Sequence, residues 1–185
     1  KLAEFIMPDK KKELRQESFI DDRFLETPAI AVSQVSKELV RFGELCMKTL
    51  DESITAFLNK NPNKDEEISE SLREIEEINQ DILSYLVKIS GKQVSKIHQS
   101  VNDFYREAEI ADNMMKYTKS EAKHNREFTP VVYEQIGTLQ SLLKEQFINV
   151  RVMLEEDKKE LISRVDELEE EIDKLRSNMI KEHIK

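Results

Sequence analysis

The residues here whose types and spacing could do chemistry are carboxylates. Glu169 and Asp173 stand four apart with Glu170 and Glu171 between them, and Glu109 lies one turn before Asp112. Carboxylates a turn apart share a helix face, so a couple of this kind can converge on one hard cation; without a partner it repels itself. The same spacing also suits a solvated, Glu-rich face balanced by lysine and arginine. Spacing alone leaves both readings open.

Other chemistries find less. Glu121 and His124 form the one Glu-x-x-His of the chain, whereas a di-iron carboxylate bundle needs two such motifs and two further glutamates. His98 and His183 have no ligand-spaced partner and read as surface histidines. Cys46 is the single cysteine and falls on an apolar stripe, so a disulfide framework is excluded and a reduced core thiol is expected. No nucleophile elbow or Cys–His arrangement is present, and three glycines leave no material for a phosphate-cradling loop.

The elements that must position these groups are helices. The 185 residues are 36% charged, with four prolines and no tryptophan, which is the composition of a helical bundle with a slender core. The net charge of −9 disfavours nucleic acid and anionic lipid and suits cations or a basic partner. No apolar run approaches the roughly 20 residues that span a bilayer. The chain opens on Lys1 rather than Met and ends on the helical pattern MIKEHIK, so an excised domain is expected.

Periodicity predicts five helices. The first is capped by Thr27, opens at Pro28 and carries Val35, Leu39, Phe42, Cys46, Leu50, Ile54 and Phe57 on one face. Asn59-Lys60-Asn61-Pro62-Asn63 ends it. The second, from about Lys64 to Ser90, carries Ile68, Leu72, Ile75, Ile78, Ile82, Leu86 and Ile89, with Asn79 as a polar neighbour and Gly91 as the stop. The third follows at once, with Val94, Ile97, Val101, Phe104, Ala108, Ala111, Met115 and Ala122, so helices two and three must be antiparallel. Phe128-Thr129-Pro130 opens a fourth helix bearing Val132, Ile136, Leu139, Leu143, Phe147, Val150 and Leu154. A charged run with a break near Asp157 separates it from a fifth bearing Leu161, Val165, Leu168, Ile172, Leu175 and Met179. A Pro-started helix followed by a Glu-rich heptad helix therefore occurs twice, as two helical hairpins of common design. Residues 1–23 read as a linker or short helix and 24–185 as an elongated antiparallel bundle.

The segment Asp22-Arg23-Phe24-Leu25-Glu26-Thr27-Pro28-Ala29, followed by a long helix, resembles the start of the cytoplasmic PhoU-like domain at the C-terminus of bacterial sodium/phosphate cotransporters. That family repeats an acidic residue, three others, then Asp, on helices lining a metal-binding face. Glu169 to Asp173 fits the repeat. The stretch from Asn102 to Asn113 is similar to the family's second acidic block, with Arg106 matching, Glu109 where Asp is usual and Tyr105 where the first acidic ligand belongs. Ile75-Glu76-Glu77-Ile78 resembles a further Ile-Asp-x-Leu element, with Glu76 in place of Asp. The resemblance covers about residues 21–184.

It implies an all-α PhoU-like fold and a regulatory, non-catalytic role at the cytoplasmic face of the plasma membrane. It implies a metal ion (iron, zinc or magnesium) on Glu169, Asp173, Glu109, Asp112 and Glu76, and the transmembrane domain of a phosphate transporter as partner. Two rivals are a coiled-coil-like scaffold acting as a homodimer without ligand, and a redox metalloenzyme built on the same carboxylates.

Overall fold

The computed structural model describes residues 18–89, 92–125, 127–156 and 158–183. The expectations placed on residues 1–17, Ser90, Gly91 and Asp157, and on the side chains of Leu154 and His183, lie outside them. Helix α1 runs Pro28–Leu58, α2 Asp65–Lys88, α3 Lys92–His124, α4 Pro130–Glu156 and α5 Ile162–His183, with single 3-10 turns at Asp22–Phe24, Pro62–Lys64 and Lys159–Leu161. The fold is an all-α, PhoU-like bundle of five helices, with no strand among the described residues.

Pro28 takes the first position of α1, where its missing N–H costs nothing. Thr27 caps through its carbonyl, which accepts from Ile30 at 2.9 Å and Ala31 at 3.0 Å; the expected hydroxyl cap bond is not made. The far end closes as a Schellman turn. Lys60 adopts a left-handed φ of 51°, and the Asn61 N–H reaches back to the Ala56 carbonyl at 2.8 Å. Asp65, Glu66 and Glu67 fill the first turn of α2, where the helix dipole favours negative charge.

Helices α1, α2 and α3 make the core. Val35, Phe42 and Cys46 meet Ile75 and Ile82 of α2 and Val101 and Ala108 of α3, all essentially inaccessible. Each large aliphatic group buried here is worth about 1.5–3 kcal/mol in hydrophobic transfer. Tyr85, also buried, donates its hydroxyl to the Asp21 carbonyl at 3.1 Å and fastens the segment before α1 to α2. One heptad expectation fails at the end of α3. Thr118 and Glu121 are buried and Ala122 is exposed, because the entry to α4 draws the Glu121 carboxylate inward.

Helix α4 lies antiparallel along α1. Gln140 reaches Asp51 at 2.5 Å and Thr55 at 2.9 Å, Lys144 reaches Asp51 at 2.7 Å, and Arg151 reaches Glu44 at 3.1 Å. Helices α4 and α5 form a hairpin, held by Gln135–Glu182 at 2.5 Å and Arg164–Glu145 at 2.6 Å. The chain turns between them because the charged run Glu155 to Glu160 has no apolar face to bury. Most described apolar positions on α4 and α5 are half-buried; Leu168 is fully enclosed, while Val131, Ile148, Ile162 and Ile180 are exposed.

Candidate functional site

Three of the five candidate ligands gather between α2 and α3. Leu72, Ile75, Tyr105, Ala108, Glu109 and Asp112 line a groove of about 160 Å³. At its edge the Tyr105 hydroxyl donates to Glu76 Oε2, and Gln80 donates to Glu76 Oε1 at 2.6 Å. The Tyr105 bond, then the Gln80 bond, holds the Glu76 carboxyl below the usual range. The same bond, with burial adding, pushes the Tyr105 phenol up to about 12. Asp112 is held by Lys116 at 2.5 Å.

Glu169 and Asp173 lie on α5, exposed and remote in sequence from the groove. Asp173 pairs with Arg176 at 3.1 Å, Glu170 with Lys174 and Glu171 with Arg164, each at 3.5 Å. The acidic run is therefore a charge-balanced face. The structure does not bring the five candidates together: among the described residues, no three His, Cys, Asp or Glu side chains form a group that could hold a metal ion. A hard divalent cation such as magnesium takes about six oxygen ligands. A single pair among the described residues would leave such a cation mostly to water.

The buried charges were missed by sequence reasoning. Glu38 is 1% exposed; Arg41 donates to its Oε1 and the Phe19 N–H to its Oε2 at 2.8 Å. Glu107, on α3, is largely enclosed, with Oε2 lacking a hydrogen-bond partner. Burial pushes its carboxyl up to about 7, and Asp103 adds to the shift. The Cys46 thiol is pushed up by burial and then by Glu107, so it is an inert core group rather than a nucleophile. Glu121 is 9% exposed and accepts from the Phe128 N–H and the Tyr133 hydroxyl. A signal existed for each. Glu38 lies between Val35 and Phe42, Glu107 between Phe104 and Ala111, and Glu121 three after Thr118, all at inward helical spacing.

The comparisons agree with this architecture. Residues 28–118 match the family model described as PhoU domain, which takes in α1, α2 and most of α3. No curated protein and no solved structure gives a significant match. Among the described residues, no helix is long and apolar enough to cross a membrane.

Proposed function

We propose that this chain is a regulatory, non-catalytic module that adjusts sodium-dependent phosphate uptake by contact with the transmembrane domain of a transporter, at the cytoplasmic face of the plasma membrane. The observation that carries the reading is the PhoU domain at residues 28–118, a domain type that suggests a role in phosphate homeostasis. The opening Asp22 to Ala29 segment, by its resemblance to transporter-linked domains, supports attachment to a membrane partner. The mechanism is a population shift. A surface that binds one state of the transporter more tightly than another biases it toward that state. No step passes through a metal.

The test is phosphate uptake, at low and high external phosphate, by cells carrying the intact gene or a version lacking the segment for residues 24–185. Uptake that no longer responds to external phosphate in the deleted strain supports the reading. Identical uptake in both strains overturns it.

A second reading, a homodimeric scaffold, has its own observation. Ile148, Ile162 and Ile180 on the α4–α5 hairpin are 54%, 46% and 51% exposed. Sedimentation equilibrium decides: a tight dimer dissociated by Ile148→Glu and Ile180→Glu favours the scaffold, and a monomer removes it.

A further inference from the structure

At the end of the bundle where α1 stops and α3 hands over to α4, Tyr117, Ser120, Glu121, Glu127 and Phe128 line a pocket of about 250 Å³. Two of its walls are aromatic. Tyr117 and Phe128 are 54% and 41% exposed, their ring centroids 6.4 Å apart and their planes at 87°. Two others are carboxylates. Glu121, nine-tenths buried, accepts at Oε1 from the Phe128 N–H at 3.1 Å and the Tyr133 hydroxyl at 2.5 Å, while its buried Oε2 has no hydrogen-bond partner. A carboxylate withdrawn from water with an unmet oxygen is costly until a cation or donor reaches it.

The chain already brings one cation to the rim. Lys60 Nζ lies 2.7 Å from Glu127 and 5.2 Å from the centroid of the Tyr133 ring. Among the described residues, one ammonium against two carboxylates leaves the pocket lining net negative. The aromatic faces add the negative side of their quadrupoles, the arrangement that holds organic cations.

We propose that this pocket binds the cationic head of an arginine or lysine side chain presented by a basic partner segment. Guanidinium fits it best, since the flat group stacks on an aromatic face and turns its donors to a carboxylate in one geometry. The volume admits one side chain, not a folded ligand, and the net charge of −9 draws basic segments to the protein. The proposal does not rest on the transporter reading, because it is argued from the lining of this pocket alone.

The test follows the Tyr117 and Phe128 ring signals by NMR during titration with N-acetyl-arginine methylamide, with its uncharged citrulline counterpart, and with tetramethylammonium. Saturable shifts with the arginine compound are expected, about tenfold weaker with citrulline and about tenfold weaker in Glu121→Gln and Tyr117→Ala. Tyr117 is more than half exposed, so its replacement leaves the core intact; the glutamine keeps an Oε1 acceptor for Phe128 and Tyr133. Equal binding of arginine and citrulline compounds, or binding untouched by Tyr117→Ala, overturns the proposal. Tightest binding of tetramethylammonium also overturns it, assigning the pocket to a quaternary small molecule instead.

Discussion

The hydroxyl of Tyr105 on α3 donates to the carboxylate of Glu76 on α2, tying together two positions that the family resemblance marks for metal ligands. An acidic residue at position 105 would face Glu76 as a like charge and need a cation between them. The phenol removes that need. It supplies a proton where a second carboxylate would supply charge, so this half-site is closed by a hydrogen bond. The groove beside it keeps Glu109 and Asp112, the latter already neutralised by Lys116.

Tyr105→Phe should therefore release Glu76 and loosen α2 from α3. A partly exposed hydrogen bond to a charged group is worth about 1 kcal/mol, and the variant should lose stability of that order at neutral pH. The sign with pH follows from the lowered Glu76 carboxyl. Its stabilisation is present above the ordinary carboxylate range and is lost as pH falls through the folded value. Urea unfolding of both proteins should thus show a gap at pH 7 that narrows in acid. A gap constant with pH would separate the Tyr105 bond from Glu76 ionisation.

Gly43 is present because of Phe104. A Cβ at Gly43 would lie 2.7 Å from Cζ of the Phe104 ring, and that ring stands edge-on to Phe42 and to Phe147, each 6.4 Å away between centroids. The ring cannot swing aside without disturbing contacts to α1 and α4 together. Gly43→Ala should cost roughly 1–3 kcal/mol by overpacking, although alanine is the better helix former. Thermal unfolding of Gly43→Ala beside Gly137→Ala is the check. At Gly137 the nearest neighbour to an added Cβ is Leu58 at 3.8 Å, so that change should be neutral or stabilising.

Five helices, their order and the hairpin between α4 and α5 were legible in the sequence, because apolar positions repeat at helical spacing and Pro28, Pro62 and Pro130 stand at element starts. The burial of Thr118 in place of Ala122 was not, since it depends on which helix arrives opposite. The candidate site was legible only as residue types. Spacing shows that Glu169 and Asp173 share a face and that Arg176 follows Asp173 by one turn, but no pattern within α3 shows that Tyr105 will meet Glu76, 29 residues away. The buried glutamates were readable in principle, as charges at inward spacing.

Glu38 tests the most enclosed of those glutamates. Its carboxylate joins Arg41, in the same helix, to the Phe19 N–H ahead of α1. Glu38→Ala leaves a guanidinium only 14% exposed without that partner, which should cost about 3–5 kcal/mol. Glu38→Gln keeps an acceptor and should cost less, about 1–3 kcal/mol. The Phe19 amide should lose hydrogen-exchange protection in the alanine variant and keep part of it in the glutamine variant. Equal stability of the two would mean that the cavity, not the charge, sets the cost.

Glu107 should make the bundle sensitive to pH near neutrality. Its carboxyl is raised from 4.5 to about 7, so the native state holds the proton more tightly than the unfolded chain does. Stability is then greatest below about 4.5 as far as this group is concerned, and falls as pH rises through about 7. The fall should be of the order of 1–3 kcal/mol, since the side chain keeps some access to water. Glu107→Gln stays neutral at every pH and preserves the shape, so it should flatten the profile and exceed the parent protein at pH 8. Asp103, the charge that adds to the shift, offers the control: Asp103→Asn should move the midpoint of the fall toward lower pH without abolishing it. Urea midpoints at pH 5, 6, 7 and 8 for the three proteins decide the matter. Parallel profiles for the parent and Glu107→Gln would mean that Glu107 is ionised and solvated throughout, and its orphaned Oε2 would then have to be met by water.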